Sequence, residues 1–482
     1  MTERRSDWLW LGVIVGLALV LRAVKLDAGL WYDEIKTLID SVRPPLAEIL
    51  THFPGNNDHP LYSVLAHISI SIFGEHAWSL RLPSVIFGLA AIPMLYIFAL
   101  QVTTRLEAVA AACLLAISYH HIWFSQNARG YAMLLFWTLL TSYLLLEGLK
   151  NNRRATFVAY AAVAALGVYT HLTMVFVVAS HVAVAAWHVL FARPGKSDMR
   201  ALINPALGFV LAGIFTLLLY APILAEVHTF FEEKSVSREA RVATPGWAFL
   251  AALRGLNIGF TVAGGTILAG LLVLIGAWSY LRQSIAISAL FVLPAPIILA
   301  VAVMLQRPVF PRFFFVLMGF GLLIAVRGAV ILGNWIANRL PASGTAQRLA
   351  CSLPVVLIGG LVILSALALP RLYAHPKQAY EQALRFVEGS RQKGESIVVV
   401  GAGAADPYQH YYSKPWPRIE SVEELTAARE TGSLWLIYTF RRYIEHRQPV
   451  FWNAIETTCA PVKSFPATVA GGEIEIRKCE AK

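Results

Sequence analysis

Apolar runs of about 18 to 22 residues recur along most of the chain, separated by short polar connections. Each is long enough to cross a hydrocarbon core of about 30 Å. They predict about eleven membrane-spanning helices, at about 8–26, 82–101, 105–120, 131–149, 155–170, 173–192, 203–225, 263–281, 285–305, 312–333 and 350–369. The apolar stretch at 61–73 reads differently. Leu61, Val64, Leu65, Ile68 and Ile72 form one helical stripe, and Ser63, His67 and Ser71 recur every fourth residue on the other side. That two-faced spacing predicts an amphipathic helix lying in the membrane interface.

Beyond about Pro370 the pattern becomes that of a soluble fold. A helical stretch from Lys377 to Arg391 leads into the β-run Ser396 to Val400. Leu434 to Tyr438 reads as a second buried strand, Arg442 to Glu456 as a helix and Glu473 to Arg477 as a late strand. The expected architecture is an all-α polytopic membrane bundle over 1–369, with a first outer loop at 27–80. A small α/β domain over 370–482 follows it.

Composition supports the membrane reading, since 57% of the 482 residues are hydrophobic and only 14% are charged. The net charge of +11 forms no single patch and argues against nucleic-acid binding. With a cytoplasmic N-terminus, the short inner connections carry Arg105, then Lys150, Arg153 and Arg154. Further along they carry Arg193, Lys196 and Arg200, then Arg282, then Arg339 and Arg348. This is the distribution the positive-inside rule requires, and counting 61–73 as a span would invert it. An odd number of spans then puts the C-terminal domain outside the cell or inner membrane. Arg4 and Arg5 before the apolar run from Trp8 read as an uncleaved signal anchor. Of four cysteines, Cys113 and Cys351 lie in apolar runs as packing residues. Cys459 and Cys479 flank a strand-turn-strand stretch around Gly471-Gly472, and an outside location predicts a disulfide between them. Gly401-Ala402-Gly403 lacks the full phosphate-loop pattern and reads as a plain turn.

This topology gathers unusual residues on the outer face. Asp33 and Glu34 stand in Leu30-Trp31-Tyr32-Asp33-Glu34-Ile35, just after the first span, and Asp58-His59 precede the interfacial helix. Arg129 and Tyr131 lie in Ser125-Gln126-Asn127-Ala128-Arg129-Gly130-Tyr131, His171 follows Thr170, and Arg307 and Arg312 bracket a proline-rich turn. A long connection between about 226 and 262 adds Lys234, Arg238, Arg241 and Arg254. Each has a plainer reading. Asp33 and Glu34 can favour a helix N-terminus, Arg129 and Arg312 can reach headgroups, His171 can be a turn residue, and Asp58 can cap a helix. Together they suit one chemistry. Guanidinium groups bind phosphate oxygens bidentately, and a carboxylate can take a proton from an acceptor hydroxyl or amine.

Asp33-Glu34, Asp58-His59-Pro60-Leu61-Tyr62, Arg81-Leu82-Pro83 and the Ser125 to Tyr131 stretch together resemble the GT-C membrane glycosyltransferases. The pattern is most similar to the protein O-mannosyltransferases and the lipid A aminoarabinose transferases. The resemblance is strongest over about 8–150 and continues more weakly through Tyr169-Thr170-His171 and Pro311-Arg312-Phe313-Phe314. It implies inverting transfer of a hexose or pentose from a polyprenyl-phosphate carrier to a lipid, glycan or protein acceptor on the non-cytoplasmic face. Asp33 then corresponds to the family's base or acceptor-orienting acid, with Glu34 beside it and Asp58 as the second acid. His59, Arg129, Tyr131, His171, Arg307 and Arg312 fall on the donor side. His59 stands where aminoarabinose transferases tend to carry a lysine, and Pro60 is single where relatives often have two. Some GT-C enzymes hold a divalent metal through such acids, but here no metal or other cofactor is expected. The competing readings are a lipid-linked glycan polymerase or ligase, a secondary transporter and a lipid-binding scaffold. No internal repeat or mid-span polar break supports a transporter, and a scaffold has no use for paired carboxylates.

Overall fold

The computed structural model describes residues 2–55, 57–191, 199–233, 246–247, 250, 263–307, 309–339 and 344–482. Arg193, Lys196, Lys234, Arg238, Arg241 and Arg254 lie outside them. Every expected span coincides with a helix or a bent helix pair. Six described helices are long and apolar enough to cross a membrane, and the two bent pairs raise that number to eight. Shorter apolar helical stretches at Trp8–Ala23, Arg154–Thr170 and Ile267–Gln283 occupy three further expected spans.

The two bends have local causes. Arg105–Ile117 and Tyr119–Ser125 meet at 58°, where Ser118 is extended and its hydroxyl accepts the His121 N–H. Arg22 of the first helix reaches across to this break. It donates to the Ala116 carbonyl at 3.0 Å and to His121 Nδ1 at 2.7 Å. A fully buried cation is thus placed on the orphan carbonyls and negative end of a helix, without a carboxylate partner among the described residues. The second bend, 45° between Ile285–Val292 and Pro294–Met304, falls where Pro294 cannot continue the hydrogen-bond ladder. Helices Ala263–Gln283 and Met318–Ala337 cross closely at paired glycines. A Cβ on Gly276 would strike the Ile324 carbonyl, and one on Gly328 would strike that of Leu272.

The stretch read as interfacial is the helix Pro60–Phe73, and its apolar stripe is divided: Leu61 and Leu65 pack on the core while the C-terminal end faces outward. Ile68, Ile72 and Phe73 are exposed, whereas Tyr62, Ser63, Ala66 and Ser69 are buried against the protein. The polar side is used there. His67 Nδ1 bonds the Val42 carbonyl at 2.8 Å, and Ser69 Oγ donates to the Ser79 carbonyl at 2.6 Å. A lipid-facing helix inverts the amphipathic rule of soluble proteins.

The C-terminal region carries a five-stranded sheet of β1 (Ser396–Val400), β2 (Arg418–Ile419), β3 (Leu434–Tyr438), β4 (Cys459–Phe465) and β5 (Ile474–Cys479), in the order β2-β1-β3-β5-β4. β1 pairs parallel with both β2 and β3, and β5 runs antiparallel to β3 and β4. β3 is buried along its whole length, as helix-covered parallel strands are. Cys459 and Cys479 face each other across β4 and β5 and are disulfide-bonded, as expected. The helix read at Arg442 to Glu456 is two, Arg441–Arg447 and Pro449–Thr458, because Pro449 breaks the first ladder and starts the second. Gly401, at φ +74°, does make a turn, but a short helix, Ala402–Asp406, follows it. One apolar cluster runs without interruption from Leu30, Ile35 and Tyr62 in the outer loop to Tyr380, Ile397 and Trp435 of the sheet-bearing region.

Candidate active site

The site is organised by a helix of six residues, Tyr32–Thr37, whose first turn contains both acids. Neighbouring positions on a helix point about 100° apart, so Asp33 and Glu34 enter different environments.

Glu34 faces inward and is fully buried. Its Oε2 receives Arg81 Nη2 at 2.6 Å, and its Oε1 receives Arg81 Nε at 2.8 Å, the Ala128 N–H at 2.8 Å and Lys377 Nζ at 3.0 Å. Arg81 in turn donates to the carbonyls of Leu26, Ala28 and Gly29, the turn that leads from the first helix to the site. Burial alone pushes the Glu34 carboxyl upward. Arg81, Lys377 and the Ala128 N–H outweigh it and hold the group at about 2. Burial pulls Lys377 down to about 7, against the lift from Glu34. Glu34, expected beside Asp33 as a helper acid, has its oxygens committed to fixed donors.

Asp33 faces a different side and keeps 16% of its side chain exposed. Its Oδ2 lies 2.6 Å from Arg129 Nη1 and 3.8 Å from Arg312 Nη1. Arg129 is buried and tied down: Nε donates to His59 Nε2 at 2.9 Å, and Nη1 also donates to Asn57 Oδ1. Asn57 Nδ2 closes the circuit on the Asp33 carbonyl at 3.1 Å and on Thr37 Oγ1 at 3.0 Å. Because arginine can only donate, His59 Nε2 is an acceptor and the ring proton of the neutral imidazole sits on Nδ1. Burial, then the charges of Arg129 and His171, keep His59 far below the ordinary histidine range. Burial with Arg129 and Arg312 likewise lowers His171 to about 3.

The rings form a packed wall behind the guanidinium groups. His59 lies 5.2 Å from Tyr131 and 4.8 Å from His171, centroid to centroid, and the Arg129 guanidinium sits 5.6 Å from the Tyr131 ring. Gly130 permits this approach: a Cβ there would lie 2.9 Å from Thr170 Cγ2 and 3.1 Å from His59 Nδ1. Arg312 enters on the 3₁₀ turn Pro311–Leu317 and lies 4.4 Å from the Phe310 ring.

Asp33, His59, Arg129, Tyr131, His171 and Arg312 are therefore one cluster drawn from five separate sequence segments. Asp58 is adjacent, but its Oδ1 accepts Ser63 Oγ at 3.0 Å. Burial is the main influence on it and pushes it up to about 6, against Ser63, Ser41, the His59 N–H and the charge of Arg129. Arg307 stands where the helix Pro294–Met304 ends, its N–H on the Ala302 carbonyl. The sequence reading did not select Asn57, Arg81, Lys377 or Gln378. Arg81 carried a signal, as a lone charge five residues into an apolar helix. Lys377 carried none. No group of three or more metal-ligating side chains occurs among the described residues.

Comparison with known proteins bears on this arrangement. Residues 57–224 match the family model of dolichyl-phosphate-mannose-protein mannosyltransferases. A comparison with curated proteins by sequence finds no match. Among solved structures, the chain is similar to ArnT from Cupriavidus metallidurans in the apo state, at 15% identity and a TM-score of 0.52 over 98% of each chain. It is also similar to the archaeal oligosaccharyltransferase AglB from Archaeoglobus fulgidus, in complex with an inhibitory peptide and a dolichol-phosphate. That match has 13% identity and a TM-score of 0.51, over 97% of this chain and 74% of the other. With its apolar helices and C-terminal sheet, the chain is a multi-pass membrane protein with the fold of the GT-C membrane glycosyltransferases.

Proposed function

We propose that the chain transfers a sugar from a polyprenyl-phosphate-linked donor to an acceptor on the outer face of the membrane, with inversion at the anomeric carbon. The observation that carries this reading is the position of the Asp33 carboxylate between Arg129 and Arg312. The family match over 57–224 and the shared fold with a protein solved with a dolichol-phosphate support it.

In this reading the donor phosphate docks on Arg312 and on the edge of Arg129 that Asp33, Asn57 and His59 leave open. Neutralising part of that positive charge loosens the hold on Asp33, which then accepts the proton of the acceptor hydroxyl or amine. The acceptor atom bonds to the anomeric carbon as the bond to the phosphate oxygen breaks, and polyprenyl phosphate departs with its charge held by the two guanidinium groups. His59 stays neutral and fixes the plane of Arg129. Asp58, held by Ser63, steadies the turn that carries His59, and Glu34 holds the helix rather than taking part in proton transfer. The mechanism needs no metal. The helix Pro60–Phe73 leads away from His59, and its exposed Ile68, Ile72 and Phe73 suit the tail of a polyprenyl chain whose phosphate sits in the site. The C-terminal α/β domain, over about 370–482, sits on the same outer face, with the N-terminus cytoplasmic and about eleven spans between.

Membranes containing the chain, given radiolabelled polyprenyl-phosphate sugars and an envelope extract as acceptor, should move label to a product of inverted anomeric configuration. Membranes lacking the chain should not. Equal label transfer in both, or a product that retains configuration, removes this reading.

A further inference from the structure

The helix that carries Asp33 is gripped from the C-terminal region at its first turn, through Tyr32 and Glu34. The Tyr32 N–H, an orphan donor at a helix start, gives its hydrogen bond to Gln378 Oε1 at 2.8 Å. Gln378 Nε2 is itself anchored on Thr439 Oγ1 at 3.0 Å. The Tyr32 hydroxyl donates to Asp406 Oδ2 at 3.3 Å, and its ring meets the Phe440 ring edge-on at 6.1 Å. One residue before Gln378, Lys377 binds Glu34 Oε1 and also donates to the Gln126 carbonyl.

These contacts are built features. Phe440 holds a left-handed backbone, φ +53°, which a bulky non-glycine residue adopts only at a cost. Gly403 leaves room for its ring, since a Cβ there would lie 2.8 Å from Phe440 Cδ2. Lys377 is the more telling residue. Arg81 already gives Glu34 a bidentate partner, so a second buried cation is surplus to neutralising it. The geometry supplies a different use. Glu34 Oε1 accepts both Lys377 and the Ala128 N–H, one residue before Arg129, and Lys377 also reaches Gln126. Lys377 thus ties the helix bearing Asp33 to the loop bearing Arg129.

We propose that Lys377 is a positioning residue that sets the Asp33–Arg129 geometry from outside the membrane bundle. The C-terminal region thereby completes the site, with Gln378 as its second hold. This rests on the proposed transferase reading for its effect on turnover, but its structural half stands alone.

The test uses the full chain in membranes with Lys377→Met, Lys377→Arg and Gln378→Met. Gln378→Met leaves no buried charge unpaired and serves where Lys377→Met does not fold. Hydrogen exchange needs no substrate. Peptides covering residues 31–37 and 126–129 should exchange about 10- to 100-fold faster in Lys377→Met, and the 31–37 peptide alone in Gln378→Met, the loss of one or two bonds to charged or buried groups. The span Tyr131–Asn151 should stay as protected as in the wild type. In the transfer assay, kcat should fall by a similar factor with the donor KM within about twofold, and Lys377→Arg should restore most of it. Unchanged exchange at both segments, or uniform loss of protection across the bundle, overturns the proposal. So does equal impairment in Lys377→Arg and Lys377→Met. If the wild type transfers no sugar, the transferase reading fails while the exchange experiment still decides the role of Lys377.

Discussion

Asp33 and Glu34 are adjacent on one short helix and share a charge, yet the protein treats them as opposites. Glu34 is sealed in with Arg81, Lys377 and a backbone N–H, so its oxygens have nothing left to offer a substrate. Asp33 keeps part of its surface open, with one tight and one loose guanidinium partner. Charge and sequence position are common to both; what separates them is how completely the surroundings use up their hydrogen-bonding capacity. A carboxylate whose partners are all fixed contributes architecture. One whose partners can be exchanged for a ligand contributes chemistry.

Removing the Glu34 charge should have the largest effect on folding. Glu34→Gln leaves Arg81 and Lys377 buried without their counter-ion, and loss of one member of a buried pair costs about 3–5 kcal/mol. The measurement is the thermal midpoint of the detergent-solubilised protein, which should drop sharply for Glu34→Gln and by less for Asp33→Asn, because Arg129 loses a partly exposed carboxylate but keeps His59 and Asn57. Equal midpoints would erase the distinction.

Asp58 sharpens the comparison from the other side, as a largely desolvated carboxylate with no ion-pair partner among the described residues. Its pKa is raised from 3.8 to about 6. The folded state therefore binds the proton more tightly than the unfolded state, and stability falls as pH rises from about 4 to about 6. Asp58→Asn should remove that slope and stabilise the protein by about 1–3 kcal/mol at pH 8. Unfolding curves at pH 4 and pH 8 read this directly. An Asn variant that is less stable than wild type at pH 8 would mean that a cation pairs with Asp58.

The smallest of these effects is expected at Arg312, the loose partner of Asp33 and the more exposed of the two guanidinium groups. Arg312→Gln should raise the donor KM about tenfold, the lower end for a charge-assisted bond, with a smaller change in kcat. An unchanged KM would take Arg312 out of phosphate binding.

Much of this was legible in the chain. Spans are written in long continuous apolar runs, and each expected one coincides with a helix or bent pair. β1 and β3 stand out as unbroken apolar stretches because both faces are covered. β4 was missed because an edge strand obeys other rules. Its interior residues are exposed, it contains Pro461 and Lys463, and it bulges between them. The cluster of Asp33, Arg129 and Arg312 could be anticipated because topology alone puts those loops on one face. The separation of Asp33 from Glu34 could not, since it depends on Arg81 and Lys377, which lie 47 and 343 residues from Glu34. No local pattern encodes a partner at that distance.

The most direct measurement is turnover per folded molecule in Asp33→Asn, with transfer from a radiolabelled polyprenyl-phosphate sugar normalised to the fraction that unfolds cooperatively. Loss of a base should lower it by about 10²–10⁴-fold per folded molecule. Turnover within a few-fold of wild type in the folded Asn variant would contradict the assignment of Asp33 as the base.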